Sequence, residues 1–423
     1  MIRNFFMPAD CNMKQTYIWT VLAGTFYAGS SFLMQMVTSK FIGIYQAGVL
    51  SLALAVANQL VTVGLYNVRT FQVSDVTEKY KFCDYFVLRI LTVTAMLVSG
   101  FVWIGVGGYD GVKGFTIIMA VTFKAVEAFS DLLEGRYQQK GRYDTSCKSV
   151  FVKVLLYLIA FLAVLFITKS VSWGLTALAL VYFLSMLFID GKIVGYFGDV
   201  SLHSTWRRQS GLIIEAFPLF VNSFISTYII NAPKYSLEKY YDSEILGIFT
   251  VLYMMAFVVN MFASFILKPI ISILAERYVK EDIKGFVRPI IRQTLIISIV
   301  TLICIMGAYL LGVPVLGLLF GVDLSSYKGA LCLILVSGGF TAVYQLFQYG
   351  IIIMRHQYSA FICCGLTAIV TYFITPYLTR RYSIMGATVS YTLSMGFMSV
   401  LFIAFFIFYI AAHKKKKQEG KYE

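Results

Sequence analysis

Within the otherwise apolar stretch MAVTFKAVEAFSDLLEGRYQQ, residues 119–139, stand Lys124, Glu127, Asp131 and Glu134. Their spacings of 3, 4 and 3 put all four on one face of a helix, with Ser130 and Gln138 on or beside the same stripe. A lysine in such a stripe can hold an anion, and a carboxylate beside it can carry a proton or a cation. In water an i,i+3 pair such as Lys124–Glu127 stabilises a helix by only a few tenths of a kcal/mol. A charge near the middle of a membrane-spanning helix costs about 2.5–3.5 kcal/mol on insertion scales. The pairing explains why these charges are tolerated but not why they are there. The stripe is therefore expected to face the interior of a bundle or a water-filled cavity.

Other polar residues interrupt apolar runs in the same way. Arg89 lies one to two turns into a hydrophobic segment. In SGLIIEAFPLFVNSFISTYIIN, residues 210–231, Glu215, Asn222 and Ser226 share a face, and Pro218 is expected to kink the helix. Asn260 and Lys268 mark the next apolar segment, and Thr341, Tyr344, Gln345 and Gln348 form a neutral stripe farther on. For any single amide or hydroxyl the alternative is a hydrogen bond between neighbouring helices. Arg89 and Lys268 have the alternative of snorkelling to a membrane surface.

The elements that must position these residues follow from composition. The 423 residues are 59% hydrophobic and only 13% charged, with a mean hydropathy of +0.77, whereas soluble domains are about a quarter charged. The expected fold class is an all-α polytopic membrane protein. A span needs about 20 mostly apolar residues, and about twelve are read: near 17–37, 44–66, 84–106, 114–136, 149–168, 172–190, 211–231, 245–267, 289–312, 328–353, 358–377 and 384–411. Only TKSVS around Lys169 separates the fifth from the sixth. No connecting loop exceeds about 20 residues, so no extramembrane domain is expected. Residues 1–15 lack the apolar core and small-residue cleavage site of a signal peptide.

The net charge of +14 points to membrane orientation rather than nucleic acid. The termini and even-numbered loops, with Lys153 counted among them, hold about three times as many Lys and Arg as the odd-numbered loops, which contain only Lys40, Lys113, Lys169, Lys234, Lys239, Lys328, Arg380 and Arg381. This bias predicts both termini in the cytoplasm, with residues 413–423 as a basic tail that touches anionic lipid at most.

A weak repeat organises the spans. Offset by 199 positions, KFIGIYQAGVLSLALA from Lys40 aligns with KYYDSEILGIFTVLYM from Lys239, matching Gly48 with Gly247 and Ser51 with Thr250. The same offset pairs Arg69 with Lys268. Farther on, GRYQQKGRY from Gly135 pairs with GIIIMRHQY from Gly350, matching Lys140 with Arg355 and Tyr143 with Tyr358. Two matches in the same order predict a 6+6 duplication: an N-terminal six-helix bundle over 1–200 and a C-terminal one over 201–412, related by a pseudo-twofold along the membrane normal.

Enzymatic constellations are missing from the pattern. His203, His356 and His413 fall in loops or the tail, and neither GxxxxGK nor HExxH occurs. The seven cysteines are scattered without metal-ligand spacing and read as small buried hydrophobes. No catalytic residue, metal or cofactor is expected.

Two stretches carry a family resemblance: YQAGVLSLALAVANQLVTVGLYNVR after the first span, and FPLFVNSFISTYIINAPKYSLEKYYDSEILGIFTVLYMMAFVVNMFASFILKPI in the middle. With about twelve spans and short loops over nearly the whole chain, they resemble the Wzx-type polysaccharide (O-antigen/capsule) flippases of the multidrug/oligosaccharidyl-lipid/polysaccharide exporter superfamily. The resemblance implies a MATE-like, V-shaped fold of two six-helix bundles in the cytoplasmic (inner) membrane of a bacterium. The implied cargo is an undecaprenyl-pyrophosphate-linked oligosaccharide, moved from the inner to the outer leaflet with H+ or Na+ coupling. Glycan polymerase and chain-length proteins of the same pathway would be partners. On that reading Lys124, Arg89, Arg69 and Lys268 would meet the pyrophosphate. Asn222, Ser226, Tyr344, Gln345 and Gln348 would meet sugars, and Glu127, Asp131 and Glu215 would carry the coupling ion. Two alternatives are a drug or metabolite antiporter of the same superfamily and a membrane glycan polymerase or glycosyltransferase. The first outer turn, SKFIG, lacks the carboxylate expected of the latter.

Overall fold

The structure is a computed structural model that describes the backbone of residues 5–7, 12–75, 79–197 and 204–418, and of these all side chains but those of 74, 257–273, 357 and 414–418. Among the described residues there is no strand, and twelve long helices match the twelve expected spans in order. They are α1 (Met13–Phe41), α2 (Ile44–Leu65), α3 (Phe82–Gly107), α4 (Gly111–Gln139), α5 (Tyr143–Thr168) and α6 (Val171–Ser185). The second six are α7 (Trp206–Tyr240), α8 (Ser243–Val279), α9 (Ile283–Gly307), α10 (Lys328–Ile353), and α11 and α12, the limbs 357–382 and 384–418 on either side of Ser383. A short helix, Val68–Ser74, follows α2, and α6 and α9 each run on through a π-helical turn, Met186–Asp190 and Ala308–Gly312. Among the described residues eight stretches are long and apolar enough to cross a membrane by length and composition, and the protein is a multi-pass membrane protein.

Local chemistry sets the boundaries. Asp110 and Asp242 cap α4 and α8 by accepting from the backbone N–H of Lys113 at 2.6 Å and of Ile245 at 3.0 Å, which satisfies donors a helix start leaves open. Lys169, at φ 54°, closes α5 with a left-handed cap, so TKSVS does separate two helices. The chain divides into two compact units, 1–227 and 228–423, and the division falls inside α7. In the first unit α4 packs against α2, α3, α5, α6 and the short helix. In the second, α10 packs against α8, α9 and the α11–α12 pair. Helices α4 and α10, paired in the sequence alignment, are each the hub of a unit. Helix ends keep the same offset: Phe41 and Tyr240 end α1 and α7, and Ile44 and Ser243 begin α2 and α8, each pair 199 positions apart.

Candidate functional site

As the hub of its unit, α4 has nowhere to turn its charged face except toward other helices. Asp131 is shared between two arginines: its Oδ1 lies 2.7 Å from Arg69 Nη1 and its Oδ2 3.3 Å from Arg89 Nη2. Arg89 is fully buried, and its Nη1 donates to the carbonyl of Gly64 at 2.7 Å. At Gly64 α2 and α3 approach closely, since a Cβ there would lie 2.7 Å from Met96 Sδ. Arg69 arrives on the short helix after two consecutive left-handed residues, Tyr66 and Asn67, turn the chain at the end of α2. Its guanidinium also reaches Glu134 at 3.4 Å, Gln138 at 3.2 Å and Ser146 at 3.3 Å.

A turn away, Lys153 of α5 is enclosed by Glu134 at 2.7 Å, Asp190 at 2.6 Å and the hydroxyl of Ser130, so its three protons all have acceptors. Asp190, in the π-turn after α6, accepts further bonds from Ser149 at 2.6 Å and, through its backbone carbonyl, from Tyr137 at 3.1 Å. Leu88, Leu132, Ile193 and Leu212 belong to a buried apolar cluster that includes Tyr137, the residue bonded to the Asp190 carbonyl. Three cations (Arg69, Arg89, Lys153) face three carboxylates (Asp131, Glu134, Asp190). Each charge has an opposite within 3.5 Å, the condition for burying ions at tolerable cost.

Toward the middle of α4, Lys124 pairs with Glu127 at 2.9 Å, and Tyr27 of α1 donates to the same carboxylate at 2.8 Å. The Lys124 ammonium lies over the rings of Phe123 and Tyr27, at 5.1 and 5.5 Å. Beside it, Ser30, Met34, Asn58 and Tyr157 help line a cavity of about 20 Å³, the size of one water.

Only part of this assembly opens outward. The side chains of Arg89 and Lys153 are 0% exposed, whereas Arg69 and Asp131 are 29% and 20% exposed. Those two line a groove of about 470 Å³ with Asn67, Thr70 and Gln138. Asn67 also ties α7 to this wall, donating to Ser223 at 2.8 Å and to the Leu219 carbonyl at 3.1 Å, while Tyr66 stacks on Phe220 at 4.6 Å.

Of the residues singled out from sequence, the structure brings together Arg69, Arg89 and Asp131, and separately Lys124 and Glu127. Glu215 stands apart, 40% exposed, held by Lys79 at 2.8 Å and by the Tyr80 hydroxyl at 3.0 Å. The hydrogen bond to Glu215 holds the Lys79 ammonium above its ordinary pKa. Asn222 and Ser226 are half-buried on α7, and Asn222 Oδ1 has no hydrogen-bond partner among the described residues. Tyr344 is buried and stacks on Phe402 at 5.8 Å, with Gln345 and Gln348 half-buried beside it on α10. The side chains of Asn260 and Lys268 lie outside the described residues.

Sequence reasoning missed Lys153, Asp190 and Tyr27. Lys153 was counted among the orientation cations at the start of a span, but the structure buries it fully, eleven residues into α5. The available signal was the i,i+4 series Ser149–Lys153 continuing inward from the loop. For Asp190 it was a lone acid closing an apolar run. Among the described residues no group of three His, Cys, Asp or Glu side chains is arranged to hold a metal.

No family model matches the chain, and no curated protein matches it either. Solved structures do. An inward-facing multidrug resistance MATE family transporter of the MOP superfamily superposes with a TM-score of 0.69 at 11% identity, covering 98% of both chains. The lipid II flippase MurJ in an inward closed conformation gives a TM-score of 0.72 at 9% identity, covering 92% of this chain and 87% of that one. A MOP superfamily transporter from Pyrococcus furiosus, described as having a binding pocket of reversed polarity, gives 0.57 at 13% identity over 95% and 93%. The chain therefore has the MATE-like fold of these proteins.

Proposed function

We propose that this protein is a flippase that carries a lipid-linked oligosaccharide, joined through pyrophosphate to a polyprenyl chain such as undecaprenol, across the cytoplasmic membrane by alternating access. The observation that carries the reading is Asp131, a carboxylate shared by Arg69 and Arg89 on the wall of an open groove within a spanning unit. The buried network is neutral as a whole, so it attracts an anion only when a carboxylate gives up its partner. A proton or cation bound at Asp131 would free both arginines, and a pyrophosphate entering the groove would take the place of the carboxylate. Release of the phosphates would restore the pair. This exchange couples cargo to ion without a nucleotide site. Lys124 and Glu127 repeat the arrangement deeper along α4, with Tyr27 as a third partner. The fold, shared with a lipid II flippase, accommodates a lipid-linked cargo, and it is shared as well with multidrug transporters, so the choice of cargo rests on the charged groove.

The test is made in the source organism. With the gene deleted, complete lipid-linked repeat units are expected to accumulate on the cytoplasmic face, out of reach of an impermeant sugar-binding probe on oriented vesicles, and restoring the gene should release them. Units that reach the outer face but stay unpolymerised would replace this reading with a glycan polymerase. Unchanged glycans would replace it with a small-molecule exporter of the same fold. Lys124→Ala is expected to lower export about tenfold, the effect of losing one contact of about 1.4 kcal/mol, and Lys124→Arg to retain most of it. Full export by both variants at normal protein levels would remove Lys124 from the route.

A further inference from the structure

The second unit gathers cations where the rest of the chain is sparing with them. Of the eight Lys and Arg in the odd-numbered loops, three, Lys239, Arg380 and Arg381, line one groove of about 710 Å³ between the end of α7 and the end of α11. No carboxylate lines it, and among the described residues none of the three has an ion pair. Its remaining wall is aromatic: Tyr240, Tyr372, Phe373 and Tyr377, with the Arg381 guanidinium 4.6 Å from the Tyr377 ring centre and Lys239 5.7 Å from that of Tyr240. An ordinary interfacial belt of aromatic and basic residues would scatter these groups singly. Other odd-loop cations do sit that way, Lys113 against Tyr45, Lys169 against Phe166 and Lys328 against Tyr309.

The groove is also built rather than incidental. Arg380 and Arg381 sit on the break between α11 and α12, where Ser383 takes φ 49° and ψ −129°. The return is so tight that a Cβ at Gly386 would collide with the Leu378 carbonyl oxygen. The Tyr241 hydroxyl donates to the Arg380 carbonyl at 3.2 Å and fixes the turn against the end of α7. Below it, Ile362, Leu366, Ile369 and Phe373 are exposed at spacings of 4, 3 and 4, one face of α11. At 1.5 Å per residue that stripe runs about 16 Å, which is the depth of one leaflet of a bilayer with a core of about 30 Å.

We propose that this groove binds a lipid with a phosphate-bearing anionic headgroup, the phosphate between Arg380, Arg381 and Lys239 and an acyl or prenyl chain along the α11 stripe. Three uncompensated cations select the negative charge, and guanidinium groups match phosphate oxygens bidentately. The stripe selects a lipid over a soluble anion. The inference does not rest on the transport reading, because any lipid of this class fits the groove whatever the central cargo.

The experiment uses the full-length protein, stripped of lipid in detergent and titrated with phosphatidylglycerol or phosphatidylcholine, with bound lipid counted by native mass spectrometry. A first phosphatidylglycerol is expected to bind with clear preference over phosphatidylcholine. Arg380→Gln with Arg381→Gln should weaken it about thirtyfold, and Lys239→Gln alone about fivefold, at about one charge contact each. Arg380→Lys with Arg381→Lys should keep the preference. If the glutamine pair does not remain monodisperse, the Lys239→Gln and lysine variants decide. Wild-type preference in either glutamine variant would overturn the proposal. Displacement of the lipid by a molar excess of inorganic phosphate would overturn it in favour of a soluble-anion site.

Discussion

Lys153 is the residue whose environment is least forgiving. Its ammonium is the only cation that touches both Glu134 and Asp190 within the described network. Lys153→Met would leave Asp190 with hydroxyl donors only and Glu134 with Arg69 at 3.4 Å. Removing one partner of a buried ion pair costs about 3–5 kcal/mol, most of it for the stranded charge. Lys153→Met is therefore expected to lower the melting temperature in detergent sharply. Lys153→Met with Asp190→Asn, which removes one charge of each sign, should recover a large part of the loss. A single variant as stable as wild type would show that no charge is stranded when Lys153 is removed, and would overturn this account of the network. This network also marks what sequence can and cannot convey at the scale of a residue. Lys124, Glu127, Asp131 and Glu134 were legible because helical spacing alone puts them on one face. Lys153 and Asp190 were not, because spacing along one helix says nothing about which other helix it meets.

At the scale of elements, hydropathy located all twelve helices, since each must bury or expose about 20 apolar residues. It placed their ends less well. α7 was expected over 211–231 and extends over Trp206–Tyr240, because a helix continues wherever its backbone bonds are satisfied, beyond the window that lipid requires. The short helix Val68–Ser74 was not anticipated either, and it is the element that delivers Arg69. It rests on α4 at Gly135, where a Cβ would lie 2.5 Å from Gln72 Oε1, and Gln72 is itself buried, donating to the Leu132 carbonyl at 3.2 Å. Gly135→Ala is expected to push the short helix off α4 at about 1–3 kcal/mol, lengthening the Arg69–Asp131 contact and lowering transport. Adding Gln72→Ala makes room for the methyl group and should restore part of the activity. If Gly135→Ala transports normally, or if Gln72→Ala gives no rescue, Arg69 does not act from this helix.

For the whole molecule, the structure revises the charge inventory from which the orientation is predicted. Lys153 and Lys234, counted among loops on opposite sides, both lie within helices, α5 and α7. The bias of about three to one rests on neither of them. Lysine and arginine within short loops resist translocation, so both termini are expected in the cytoplasm, with the loop after α2 and its Arg69 groove on that side. The turn after α11, with its anion-binding groove, would then face outward. Fusion at residue 423 of a fluorescent protein that matures only in the cytoplasm should fluoresce. Alkaline phosphatase, active only outside, should be inactive at that position and active when inserted beside Lys113 in the α3–α4 loop. The reverse pattern would send the Arg69 groove outward and require cargo to enter the first unit from the outer leaflet, which is incompatible with an exporter of lipid-linked sugars.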